Sequence, residues 1–219
     1  MFAISNFKLQ AEKCHTVTYG FEVAAPTDWT KKADAKKQLQ QLYQLNPKQQ
    51  IIFFNGTLNY KPNLDAVDAI LQYINPLLLE QKEYDYAIII CGKNLPDHYQ
   101  NLAGHKNIIY AGFVDDISTY FMGADIFINP VIDGGGIKTK LVEALGYNLT
   151  CVSTASGAIG VAESITAAKM TIVPDANWQA FTQAIKQANL KIDTPIHFFN
   201  HFYWGNIAKK VAGLLANTN

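Results

Sequence analysis

The sequence predicts an α/β domain with a doubly wound parallel sheet of about six strands. Three observations predict it. Short continuous apolar runs, Ile51 to Phe54 and Tyr86 to Ile90 among them, suit strands buried on both faces. Stretches of helical period separate these runs, as in Leu64, Val67, Leu71, Ile74 and Leu78 at spacings of three and four. The strand-like runs end at glycines (Gly56, Gly92, Gly112, Gly134-Gly135-Gly136 and Gly157). In a sheet of this kind ligands bind beyond the carboxyl ends of the strands.

Taken in order, residues 1–25 read as a lead-in strand, over Thr16 to Thr18, and a linker. A polar helix is expected from Thr27 to Leu45, with Lys31, Lys32, Lys36 and Lys37 interleaved with Asp28 and Asp34 as a solvated face. After the first two apolar strands, a short helix is expected around His98 to Leu102 and a strand over Asn107 to Ala111. Asp115 or Asp116 is placed to cap a helix running to Met122. Asp125 to Asn129 reads as a strand, and Ile137 to Leu145 as the helix after the triple glycine. Strands Leu149 to Ser153 and Met170 to Val173 and helices Asn177 to Ala188 and Tyr203 to Leu215 complete the chain.

Bulk properties narrow the function. Hydrophobic residues make up 49% of the 219 and charged residues 16%, below the roughly 25% charged of ordinary domains, which fits a compact globular protein. Lysine plus arginine and aspartate plus glutamate each number 18, so no basic excess points to nucleic acid. Cys14, Cys91 and Cys151 lack metal-ligand spacing and suit a reducing setting, Cys91 and Cys151 as core residues. The chain start does not read as a signal peptide, and no apolar run approaches the roughly 20 residues of a membrane span. A cytoplasmic protein is expected.

The chemistry is concentrated between Asn129 and Ala144. A strand leads into Gly134-Gly135-Gly136 and on into a helix carrying Lys138, Lys140 and Glu143. Glycines let an anion approach the backbone, and the free N–H groups of a first helical turn face it. Cations are ordinarily unfavourable at a helix start, so Lys138 and Lys140 point to an anionic ligand, a diphosphate. Spacings of four and three place Gly136, Lys140 and Glu143 on one face, where the carboxylate can accept from ribose hydroxyls. The plainer alternative is a surface helix with a Lys140–Glu143 ion pair. Neither the G-x-x-x-x-G-K-[ST] nor the G-x-G-x-x-G phosphate pattern is present.

The segment Gly134 to Leu145 resembles the donor-site helix of the group 1, family 4-like retaining glycosyltransferases of GT-B fold. Phe54 to Asn63, Asn107 to Asp116, Ala124 to Pro130 and the helix around Trp204 match further stretches of that family in order. The resemblance implies a Rossmann-like domain, the C-terminal half of a GT-B fold, binding a UDP- or GDP-sugar without metal or other cofactor. It implies that Glu143 binds ribose. Gly56, Thr57, Gly92, Gly134, Gly135, Gly136, Ile137, Lys138 and Leu141 would line the donor. Lys140, with Lys61, would neutralise the departing diphosphate, these two and Glu143 being the catalytic residues, and Phe113 and Val114 would border the base. Gly135 stands where many relatives carry a sugar-contacting glutamate, with Asp133 as a substitute, and Thr57 where many carry an arginine.

On this reading residues 1–219 form one nucleotide-sugar-binding domain, and the N-terminal acceptor domain lies outside the chain or on a partner chain. Little transfer is then expected from the chain alone, and peripheral membrane association rests with the longer protein. Two alternatives stand beside it: a non-catalytic, partner-dependent nucleotide-sugar-binding subunit, and half of an epimerase. His15, His98, His105, His197 and His201 form no catalytic or metal arrangement in the sequence. The cluster Phe198, Phe199, Phe202, Tyr203 and Trp204 reads either as local core or as a surface for the missing half.

Overall fold

The computed structural model describes residues 2–99 and 102–216. Six strands, β1 (Gln50–Asn55), β2 (Tyr86–Cys91), β3 (Ile108–Gly112), β4 (Ile126–Asn129), β5 (Thr150–Thr154) and β6 (Met170–Val173), form one sheet in the order β3-β2-β1-β4-β5-β6. Every pairing is parallel. The order reverses between β1 and β4, and a crevice opens beyond their carboxyl ends at such a switch point.

The helices in chain order are α1 (Phe2–Phe7), α2 (Trp29–Leu42), α3 (Lys61–Ala69), α4 (Asn75–Leu79), α5 (Ile117–Gly123), α6 (Thr139–Gly146), α7 (Glu163–Thr166), α8 (Trp178–Gln187), α9 (Ile196–Phe202) and α10 (Trp204–Ala216). A π-helical turn, Ile70–Ile74, joins α3 to α4. Pro76 has no N–H to give the preceding turn, and its ring crowds the carbonyl four residues back, so the ladder slips there.

Alternation along the strands builds two cores. Phe53 and Phe127 face one way, against Phe121 of α5, Leu141 and Leu145 of α6, and Phe198, Phe199 and Phe202 of α9. Ile52, Phe54, Ile88 and Ile126 face the other, against Ile70, Ile74 and Phe181 of α8. The aromatic cluster before Trp204 is therefore local core for its three phenylalanines, while Trp204 itself is half-exposed.

Three expectations need correction. No strand forms over Thr16 to Thr18, which carry no regular structure; α1 and a 3₁₀ turn at Ala11–Lys13 precede them, and a single bridge pairs Phe21 with Tyr203 after them. The helix expected around His98 to Leu102 is two 3₁₀ turns, Asp97–Tyr99 and Leu102–Gly104, and Gln100 and Asn101 lie outside the described residues. The lysine face of α2 is only partly solvated. Lys32 is buried and donates to Met122 O at 3.1 Å and Tyr147 O at 3.4 Å, satisfying carbonyls at the ends of α5 and α6. Burial pulls its amine down to about 8. Lys36 holds Asp125 at 2.7 Å, and Asp125 in turn accepts from the Ile51 N–H at 2.8 Å, pinning the start of β1. Asp116, not Asp115, caps α5 by accepting from the Ser118 N–H.

Candidate functional site

Two adjoining cavities of about 410 and 390 Å³ open at the switch point and share the wall Asn55-Gly56-Thr57 at the end of β1. Their volumes are within the range of small-ligand pockets. The first is closed by Tyr60 and Asn63, by Gly135 of the loop after β4, and by Lys138, Lys140 and Glu143. The second is lined by Gly92, Phe113, Val114 and Ile117.

The glycine loop is shaped by its backbone. Gly134 and Gly136 have φ of +92° and +71°, a region that side chains rarely adopt. Gly135 has no such φ, and a Cβ there would meet nothing, so this glycine leaves open space in the first cavity. Helix α6 begins at Thr139, two residues later than its periodicity suggests, because Gly136 is left-handed and Lys138 is extended. No side chain caps it. Its first N–H groups are therefore available to an anion.

Lys140 is the central charge. Its Nζ donates to Asn63 Oδ1 at 2.8 Å and Asn55 O at 3.1 Å, and lies 4.2 Å from the Phe54 ring centroid. None of these partners is an acid. Burial, and secondly the charge of Lys138, push its amine from 10.5 down to about 7. Lys138 folds back on Gly134 O at 2.7 Å and Gly136 O at 3.2 Å, and burial lowers its amine too. The Lys140–Glu143 pair of the plainer reading does not form: Glu143 Oε1 accepts instead from Tyr19 Oη at 2.9 Å. Asn55 carries a buried Oδ1 with no partner on the wall between the cavities.

Several expected residues fall elsewhere. Lys61 is outside the cavity lining; its exposed ammonium pairs with Asp65 at 2.6 Å, one helical turn on. Asp133 is exposed and outside the lining of the first cavity, and its Oδ1 accepts from the Gly134 N–H at 2.6 Å, which braces the loop. Leu141 is fully buried in the core and spends its N–H on Lys138 O, leaving nothing for a ligand. Gly136 is likewise absent from the lining, being the loop's turn and not part of the helix face with Lys140. Phe113 stands 70% exposed at the mouth of the second cavity, with Val114 beside it. Tyr60, Asn63, Asn55 and Tyr19 were missed by sequence reasoning. Asn55, Tyr60 and Asn63 carried a signal, since all three belong to the same loop segment as Gly56.

Gly92 is under the tightest constraint. A Cβ there would overlap Gly56 O and come within 2.8 Å of Leu58 Cγ. Gly92→Ala is expected to displace the Gly56 loop and cost roughly 2 kcal/mol, a drop of several degrees in Tm. Thermal unfolding checks this; an unchanged Tm would mean the two loops have slack that the packing does not reveal.

The switch-point crevice of this Rossmann-like sheet thus brings together a glycine loop, an uncapped helix start and an ammonium with no acidic partner, features suited to an anion. The chain belongs to the group 1 glycosyltransferases: the family model described as Glycosyl transferases group 1 matches residues 49–189, more than half of it. Similar solved structures include a glycosyltransferase from Rickettsia africae ESF-5 (14% identity, TM-score 0.71, 97% of this chain and 59% of that one). Anabaena Alr3699/HepE in complex with UDP and glucose is another (15%, TM-score 0.66, 94% and 58%). WaaG, a glycosyltransferase involved in lipopolysaccharide biosynthesis, is a third (15%, TM-score 0.61, 98% and 58%). The chain thus spans under two thirds of each of these structures and shares the fold of their GT-B architecture. Among curated proteins none matches. No helix of the described residues is long and apolar enough to cross a membrane.

Proposed function

We propose that this domain binds the donor in retaining transfer of a glycosyl group from a nucleoside-diphosphate sugar. The observation that carries the reading is Lys140: a desolvated ammonium without a carboxylate partner, beside the uncapped start of α6. A diphosphate supplies the missing negative charge. As the sugar–phosphate bond breaks, charge grows on the leaving diphosphate, and preorganised donors at that place lower the barrier. Lys140 and the α6 N–H groups fill this role. Glu143 accepts from the ribose, and Phe113 and Val114 border the base in the second cavity. Lys61, being held by Asp65, is given no part, and no metal or other cofactor is assigned one. UDP is the favoured nucleotide, since Anabaena HepE was crystallised with UDP and with UDP-glucose; a GDP-sugar is the alternative.

Transfer would need a second wall to present the acceptor, from a further domain or a partner chain, and the setting we propose is cytoplasmic, with any membrane association peripheral. One observation favours a second reading, a nucleotide-sugar-binding subunit without its own chemistry: the wall at Gly135 is bare, and Asp133 is not among the residues lining the cavity. An epimerase is less well served, since Glu143 is the one carboxylate among the residues lining the first cavity and no histidine is among them.

Calorimetric titration with UDP, GDP, ADP and their sugar conjugates tests the reading. One nucleotide should bind selectively, and Glu143→Ala should weaken it about tenfold by removing hydrogen bonds to a charged acceptor, about 1.5 kcal/mol. Absence of binding by any of them would sink the assignment. Binding without turnover, even with an acceptor domain supplied, would favour the second reading.

A further inference from the structure

The chain before α2 reaches the site through Tyr19. Tyr19 donates its phenol to Glu143 Oε1 at 2.9 Å across 124 residues of sequence. Among the described residues, Glu143 Oε2 takes no hydrogen bond and remains for a ligand. Glu143 also stands on the boundary between the first donor cavity and a smaller one of about 270 Å³, whose lining includes Tyr19, Phe21, Tyr147 and Trp204.

The segment carrying Tyr19 is clamped. The Phe21 N–H donates to Phe202 O at 2.5 Å, and the Trp204 N–H to Phe21 O at 3.0 Å. Lys210 of α10 reaches Thr16 O at 3.2 Å. Neither Gly20 nor Gly146 has room for a Cβ, the first against the Trp204 ring and the second against the Phe21 ring. The Tyr19 ring itself meets Trp204 edge-on at 5.8 Å. Burial and then Glu143 push the phenol up to about 12, so it remains a donor at neutral pH.

We propose that Tyr19 is a positioning residue: by occupying Glu143 Oε1 it fixes the carboxylate with Oε2 toward the ribose diol of the donor. This rests on the nucleotide-sugar reading of the crevice. It ties ribose recognition on α6 to the docking of the N-terminal segment against α9 and α10. A carboxylate freed from Tyr19 samples several rotamers, and ordering it again on binding lowers affinity.

The test is calorimetry of the full chain with UDP, GDP and ADP and the 2′,3′-dideoxy form of whichever binds best. Tyr19→Phe should weaken the ribonucleotide about fivefold and leave the dideoxy form unchanged. In a Glu143→Ala background the same substitution should have no further effect, as for two residues acting through one contact. Equal weakening of both nucleotides, additivity with Glu143→Ala, or no weakening at all would overturn the positioning role while leaving the donor site standing. Failure of the unsubstituted chain to bind any of the nucleotides would overturn both.

Discussion

Replacing Lys140 by methionine is expected to weaken binding of the preferred nucleoside diphosphate about 100-fold, roughly 3 kcal/mol, without destabilising the unliganded protein. The two effects have opposite signs for one physical reason. The ammonium sits over the Phe54 ring with only neutral acceptors, Asn55 O and Asn63 Oδ1, so the free protein bears a desolvation cost that a bound anion offsets. Methionine keeps the stem over the ring and removes the charge. The pH dependence of stability follows from the amine lying near 7 when folded against 10.5 ordinarily. Below the folded value both states carry the proton, and the cost of burying the charge is full. Between about 7 and 10.5 the unfolded chain binds the extra proton, so stability rises with pH. The methionine variant's advantage should therefore be greatest near pH 6 and shrink by about pH 9. Urea unfolding at those two values, together with calorimetry, checks both halves. A variant less stable near pH 6 that still binds nucleotide would make the ammonium a clasp between β1 and α3, not an anion ligand.

The sheet was legible because strands buried on both faces write themselves as apolar runs; Ile51 to Phe54 and Tyr86 to Ile90 admit few other readings. The glycine loop and Lys140 were legible because their chemistry is local: a loop, a helix start and a charge within a few residues. The start of α6 was set too early because Ile137 continues the apolar period, and periodicity is blind to the extended backbone of Lys138, after which the helix begins. Lys61 misled for a related reason. Its neighbourhood in sequence is the first glycine loop, but its i,i+4 partner Asp65 holds it on the outer face of α3. What stayed hidden depends on contacts far apart in sequence. Lys32 looks like any surface lysine until the ends of α5 and α6 arrive beneath it, and nothing near Tyr19 announces Glu143. Helix α9 was missed because Phe198, Phe199 and Phe202 read as a cluster without a period; Pro195 and Tyr203, both extended, bound it as a separate element.

Diphosphate binding at about pH 8 is expected to take up close to one proton, and affinity to fall by up to about tenfold per pH unit above 7. In the free protein the Lys140 amine, near 7, is mostly neutral at that pH. A diphosphate beside it favours the charged form and returns its pKa toward the ordinary lysine range, so the bound state holds a proton that the free state lacks. Below pH 7 the sign changes, because the terminal phosphate, with its last ionisation near 6, begins to lose charge. Affinity should therefore peak between about 6 and 7. Calorimetry in two buffers of different ionisation enthalpy counts the proton directly. Affinity that stays flat from about pH 7 to 9, with no proton taken up, would mean that Lys140 is already charged in the free protein or never meets the phosphate. The Lys140→Met variant separates the contributions. The backbone N–H groups at the start of α6 do not titrate, so the binding that survives in the variant should be pH-independent above 7. That remainder measures what the helix start and glycine loop provide without the lysine.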